Sequence, residues 1–299
     1  MIHYDPHKWL DHFFDIRGSL VKEISVRVVL CVVWAAAVVW IDKYWMNVGM
    51  PSLLHTLLAA ALGLLLVFRT NASYDRFWEG RRLWGGIVNE TRNLIRNSKA
   101  HLSSDPEILV TLTHWTVVFP WAAMNSLRAK DDLGPYSKAL PPEAAKRVLN
   151  AQHTPLAVCY EMTECLQQAY RQGLISDVTL ASLDQNVQLL VDYLGGCERI
   201  RKTPLPFAYA VHLRRSLMIF LLTLPFAMVD SFGWASVLDV ALISYVFMGI
   251  EEIGVEIEGP FGHDENDLPL EEICQTIHRN LYSLINLEKL ERELLPEGL

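Results

Sequence analysis

The eighteen residues Pro51-Ser-Leu-Leu-His55-Thr-Leu-Leu-Ala-Ala60-Ala-Leu-Gly-Leu64-Leu-Leu-Val-Phe68 contain no charged side chain and a single histidine, His55. A hydrocarbon core of about 30 Å takes roughly 20 apolar residues as helix, and about 18 suffice when the ends reach the headgroups. This stretch therefore predicts a membrane-spanning helix. Working outward, Ile24–Ile41 is interrupted only by Ser25 and by Arg27, one turn from its end, and predicts another span. The segment Ser216–Ile250 is too long for one crossing and carries Asp230, Ser231 and Gly233 near its middle, as a hairpin of two spans would. Its first half, Ser216–Val229, is short enough that a re-entrant or protein-buried segment is the alternative. Four transmembrane helices are predicted.

Composition agrees with a membrane chain. The 299 residues are 51% hydrophobic, with a mean hydropathy of +0.19. A net charge of -8 argues against nucleic acid as a partner, which needs clustered Lys and Arg in surplus. The five cysteines, Cys31, Cys159, Cys165, Cys197 and Cys274, are odd in number and form no CxxC pair, so reduced thiols are expected rather than disulfides or a zinc site. Met1–Phe14 lacks the basic start and apolar run of a signal peptide, so the mature chain is expected to start near Met1.

Flanking charge orients the spans, because short cytoplasmic segments carry an excess of Lys and Arg. Lys8, Arg17 and Lys22 precede the first span. Arg69, Arg76, Arg81 and Arg82 follow the second, and Arg199, Arg201, Lys202, Arg214 and Arg215 precede the third. The turns at Asp42–Met50 and around Asp230 hold one Lys between them. Both termini and the block from Arg69 to Arg215 are thus expected on the cytoplasmic side of a multi-pass protein of the plasma (inner) membrane. The expected organisation is a cytoplasmic N-terminal segment (1–23), two membrane helices (24–68), a cytoplasmic helical domain (69–213), two further membrane helices (214–250), and an acidic segment with a C-terminal helix (251–299).

Between Tyr74 and Arg201 the periodicity is helical, with breaks at Ser103–Pro106, Asp131–Pro142 and Gly173–Asp177, so four helices are expected. Ser104 or Asp105 before Pro106, Pro141-Pro142-Glu143 and Ser176-Asp177 have the form of helix starts. No Gly-rich phosphate loop, GxSxG elbow or HExxH occurs, which leaves the common nucleotide, hydrolase and zincin chemistries without support.

Beyond the second span the chain reads Phe68-Arg-Thr-Asn-Ala-Ser-Tyr74-Asp-Arg-Phe-Trp78-Glu-Gly-Arg-Arg-Leu-Trp84-Gly. Further pieces are Gly195-Gly-Cys-Glu-Arg199, Thr203-Pro-Leu-Pro-Phe-Ala-Tyr209, and Gly259-Pro-Phe-Gly262 followed by His263-Asp-Glu-Asn-Asp267-Leu-Pro269. In order and spacing, from the first span to about Asn280, these resemble the bestrophin family, in its bacterial branch. The resemblance implies an all-α membrane protein with four transmembrane helices and a cytoplasmic helical bundle, assembled as a homopentamer around a central pore. It implies an ion channel and no enzyme. Eukaryotic bestrophins are calcium-activated chloride channels, whereas bacterial relatives are described as preferring monovalent cations.

Ala60, Leu64 and Phe68 are spaced by four and share one helix face. By the resemblance this face lines a narrow neck, where rings of apolar side chains gate by dewetting. Ala60 departs from the larger residue usual there, which implies a wider entrance. Without the resemblance, lipid contact or helix packing explains the same spacing. The resemblance further implies a second apolar constriction in the cytoplasmic body of bacterial members, which by its Ser-Asp-x context falls on Val178, for which a buried core valine is the plain alternative.

Glu251, Glu252, Glu256, Glu258, Asp264, Glu265 and Asp267 concentrate carboxylates of the kind that suit hard cations. In eukaryotic relatives the matching run clasps calcium. Here His263 and Asn266 interrupt it, and the spacing fails the EF-hand pattern. A divalent cation at Glu256, Glu258, Asp264, Glu265 and Asp267 is the one cofactor to consider. A solvated face, or ion pairs with the basic flanks, is the plainer reading and the favoured one. Asp239, inside the fourth span, is costly enough to need protein, water or a partner around it. Arg69 either caps the inner helix end or meets ions just inside the neck. The remaining functional alternatives are a membrane enzyme using the acidic cluster as a metal site and a membrane scaffold. The expected partners are further copies of the chain, lipids and monovalent ions. The acidic balance leans towards cations, but a whole-subunit charge says little about the field inside a pore.

Overall fold

The computed structural model describes residues 7, 20–102 and 105–286. The N-terminal segment expected before Leu20 (save His7), Ser104, and the end of the C-terminal segment from 287 on lie outside them. The described residues are helical, without strands: α1 (Val21–Tyr44), α2 (Leu53–His101), α3 (Pro106–Leu127), α4 (Pro142–Leu149), α5 (Thr154–Arg171), α6 (Asp177–Lys202), α7 (Phe207–Phe232), α8 (Ser236–Glu256) and α9 (Leu270–Ile285). Short 3-10 turns lie at Pro135–Ala139 and Gly233–Ala235. They fall into two compact units. One holds the chain up to Trp78 with Thr203–Asp267, and the other holds Glu79–Lys202 with the chain from Leu268. The first boundary falls inside α2, ten residues beyond the end of the apolar run at Phe68.

Among the described residues, three stretches are long and apolar enough to cross a membrane: Val21–Tyr44 and Phe207–Glu256 in the first unit, and Leu53–His101, whose apolar run also lies there. The last is the α7–α8 pair, broken where Gly233 takes a φ of 52°, a left-handed conformation that suits glycine. Helix α7 begins nine residues before Ser216, so the short apolar half of the hairpin is part of a 26-residue helix. Ile24, Cys31 and Ala35 of α1, Leu62 and Leu66 of α2, Leu213, Leu217, Phe220, Leu221 and Leu224 of α7, and Val240 and Met248 of α8 form one buried core. Pro225 removes an amide donor from α7. Nearby, Trp34 donates to the Leu222 carbonyl at 2.8 Å, and the Met50 amide donates to the Phe226 carbonyl at 2.8 Å. Trp40, Tyr44 and Trp45 at the end of α1, with Phe232 and Trp234 at the α7–α8 turn, are exposed aromatics of the type that sit at a membrane surface.

The second unit is built on α3, whose own residues, Leu112, Trp115, Val117 and Phe119 among them, are buried on nearly all sides, as in a helix enclosed by others. Asp105 accepts from the amides of Glu107 and Ile108 at 3.1 Å and caps α3, with Pro106 in its first turn. Ser176 accepts from the Thr179 amide at the start of α6, and α4 starts at Pro142, both as expected. Four helices were expected between Tyr74 and Arg201, but the chain breaks once more, at Asn150–His153, separating α4 from α5. The signal was His153-Thr-Pro155: the His153 ring accepts from the Leu156 amide as a cap, and proline sits in the first turn. Helices α2 and α6 approach closely at glycines. A Cβ on Gly86 would lie 2.5 Å from the Tyr193 ring, and one on Gly196 would lie 2.8 Å from Leu83. All five cysteines are free and buried.

Candidate functional site

Helix α2 carries two opposed faces in the first unit. His55, Leu62, Leu66, Arg69 and Ser73 recur at helical spacing and are buried. Leu57, Ala60, Leu64, Phe68 and Asn71 recur on the other side and are exposed, Leu64 and Phe68 each at 56%. Among the described residues, the chain's own helices cover only the first face. Ala60, Leu64 and Phe68 thus share an uncovered, uncharged strip.

The covered face is polar at both ends. His55 bonds through Nε2 to the Thr223 hydroxyl at 2.9 Å. That hydroxyl donates to the Ile219 carbonyl at 2.8 Å, so its proton is committed and the histidine is the donor. At the other end Arg69, 1% exposed, faces Glu251 at 3.4 Å and Glu258 at 3.7 Å. Glu251 also accepts from Arg214 Nε at 2.9 Å, and Glu258 accepts from the Leu205 amide at 3.0 Å. Gly254 leaves room for the arginine, whose Nε would lie 3.2 Å from a Cβ there. Arg76 extends the network, donating to the carbonyls of Glu258 at 3.2 Å and Thr203 at 2.5 Å. Arg27 pairs with Glu252 at 2.6 Å. Of the two roles considered for Arg69, the structure places it among protein partners, away from the exposed strip. A buried guanidinium is tolerable only with such partners.

The acidic segment is distributed among these and other contacts. Glu256 accepts from Asn266 at 3.3 Å. Asp267, 3% exposed, accepts from the Asp264 amide at 2.8 Å. Glu265 is held in a contact of its own. Among the described residues no group of three or more His, Cys, Asp or Glu side chains is arranged to hold a metal ion. Asp239 is half-buried in α8, with Oδ2 enclosed and without a hydrogen bond. In the second unit, Val178 lies at the start of α6 with 75% of its surface exposed, so it is not a core valine of this chain. Trp84 is fully buried, whereas Trp78 is 52% exposed.

Ion pairs between the acidic segment and the basic flanks were expected from sequence, but the individual pairings and the His55–Thr223 bond were not. Arg69 lies seven residues after Leu62 and three after Leu66, in phase with the packed face, and that spacing was the available signal.

Comparison with known proteins agrees with this architecture. Residues 1–283 match the family described as bacterial/fungal bestrophin protein. A voltage-dependent anion channel-forming protein of Nostoc sp. is 39% identical over 283 residues, covering 93% of this chain and 92% of that protein. One from Escherichia coli O157:H7 is 31% identical over 299 residues, covering 99% and 98%. Among solved structures, a bacterial bestrophin homologue from Klebsiella pneumoniae superposes with a TM-score of 0.84 at 31% identity, covering 88% of this chain and 98% of that one. The protein belongs to the bestrophin family, in its bacterial and fungal branch.

Proposed function

We propose that this protein is a membrane ion channel for small monovalent ions, formed by five copies of the chain around a shared axis. The observation that carries this reading is the exposed, uncharged strip Leu57–Ala60–Leu64–Phe68 on a helix whose opposite face is fully engaged. The names of the relatives, channel-forming proteins throughout, favour conduction over the enzyme and scaffold alternatives.

In this reading α1, the first part of α2, α7 and α8 make four crossings. The excess of Lys and Arg on the flanks supports both termini lying on the cytoplasmic side of the inner membrane. Helix α2 rises roughly 70 Å at about 1.5 Å per residue, more than twice a bilayer core, so its later turns lie beyond the membrane. Leu64 and Phe68 from each copy ring the axis and form a neck that excludes water when narrow. Ala60, with the smaller side chain, leaves the outer entrance wider. Val178 supplies a second apolar ring from the exposed tip of α6. Glu251, Glu252 and Glu258 hold the inner helix ends together through Arg27, Arg69 and Arg214. In the same way Glu256, Glu258, Asp264, Glu265 and Asp267 serve as structural partners rather than as a divalent-cation clasp.

The test is reconstitution of purified protein in planar bilayers, comparing wild type with Leu64→Ala at confirmed oligomer size. Current in wild type, with larger unitary conductance in Leu64→Ala, is the expected result. Silence in both, with insertion confirmed, would overturn the channel reading.

A further inference from the structure

We infer that Asp75 is a charge-selecting residue of the conduction path and favours monovalent cations. The inference rests on the neck reading above and goes beyond it, because the apolar rings carry no information on the sign of the ion.

Between Leu53 and Trp78, helix α2 has three charged residues: Arg69, Asp75 and Arg76. The two arginines are turned away from the exposed strip. Arg69 is 1% exposed against Glu251 and Glu258, and Arg76 is bound to the Glu258 and Thr203 carbonyls. Asp75 is exposed, and among the described residues its carboxylate has no hydrogen-bond or ion-pair partner. It stands seven residues beyond Phe68 and eleven beyond Leu64 in an unbroken helix. At about 100° per residue these offsets return to within about 20° of the same direction. The rise from Phe68 is about 10 Å, close to the Debye length of about 8 Å at physiological salt.

The positive charges nearest the neck are therefore engaged, Arg69 by buried carboxylates and Arg76 by backbone carbonyls, while one negative charge remains on the strip that faces the axis. Repeated in every copy, it makes a carboxylate ring just inside the apolar neck, the arrangement by which charged rings select cations. A ring of like charge in a low-dielectric mouth raises the local concentration of counter-ions and repels co-ions.

The experiment is the reversal potential in planar bilayers under a sodium chloride gradient, for wild type, Asp75→Asn, Asp75→Lys, Asp75→Glu and Leu64→Ala. Each protein is first matched for oligomer size by size exclusion. Wild type is expected to reverse on the cation side. Asp75→Asn should lower the sodium-to-chloride permeability ratio roughly threefold or more, Asp75→Lys should lower it further, and Asp75→Glu should retain it. Should Asp75→Lys fail to assemble, Asp75→Asn against Asp75→Glu decides.

Two relatives are named as anion channel-forming proteins, so wild type is itself one arm of the test. A wild-type reversal on the anion side overturns the inference, as does a ratio unchanged in Asp75→Asn. Leu64→Ala separates this failure from that of the neck. If it raises conductance while Asp75→Asn leaves the ratio unchanged, the neck stands and the selectivity role falls. If it has no effect while Asp75→Asn shifts the ratio, Asp75 lines the path and the constriction lies elsewhere.

Discussion

The guanidinium of Arg69 and the carboxylate of Glu251 lie 3.4 Å apart, with 1% and 5% of their side chains exposed, on two helices far apart in the chain. Neither charge could be held there alone, because removing an ion from water costs several kcal/mol unless a partner compensates. Glu251 serves two arginines and Arg69 serves two glutamates. The pairing fixes Arg69 one residue away from Phe68 and anchors the face of α2 opposite the exposed strip.

Glu251→Gln leaves Arg69 buried with only the longer contact to Glu258, and should destabilise the protein by about 3 kcal/mol. Arg69→Met should cost less, because Glu251 keeps Arg214 and Glu258 keeps the Leu205 amide. The double variant should lose less than the sum of the two. Denaturant unfolding in detergent micelles measures all three, and strictly additive losses would show that the pair is not coupled.

At the crossing of α2 and α6 the expected cost is steric. Gly86→Ala puts a Cβ 2.5 Å from the Tyr193 ring, so either the ring or a helix must shift. A loss of about 1–3 kcal/mol is expected from overpacking. Gly195→Ala, with open space around its Cβ, serves as the control. Equal thermal stability of the two variants would show that the close approach is not tight.

A third expectation concerns pH. The His278 ring stacks on Tyr136 with centroids 3.8 Å apart and packs against Tyr282 at 4.1 Å. Burial, with Arg279 alongside, lowers its pKa below the ordinary 6.5. The unfolded chain then binds the proton more readily than the folded one. This contribution to stability is complete above about pH 6.5 and is lost as pH falls through the lowered value. The melting temperature should fall on acidification below pH 6.5, and His278→Phe, which keeps the stack but cannot titrate, should flatten that dependence. An identical pH profile in the variant would remove His278 as the cause.

Much of the fold was legible because its signals are local. Eighteen uncharged residues predict a membrane helix wherever they stand, and the helix starts at Asp105, Pro142 and Ser176 are set by neighbours within one turn. The break at His153 was missed because its cap is a histidine ring, an unusual acceptor at that position, although Pro155 marked the place. The acidic segment was harder to interpret. As a string it suits either a cation or the basic flanks, and the partners of Glu251, Glu252 and Glu258 lie on helices the string does not mention.

The sequence by itself determined the apolar spans, their flanking charges and the alignment of Ala60, Leu64 and Phe68, since helical period and transfer free energy need no knowledge of neighbours. Only the tertiary structure decided which side of α2 is covered, and so which charges are spent. Arg69, Asp75 and Arg76 stand within eight residues of one another, yet two are engaged by partners from distant segments and one is left facing outward. That division depends on where α7, α8 and the loops at Thr203 and Glu258 pack. Contacts of this kind are long-range, and no local pattern encodes them.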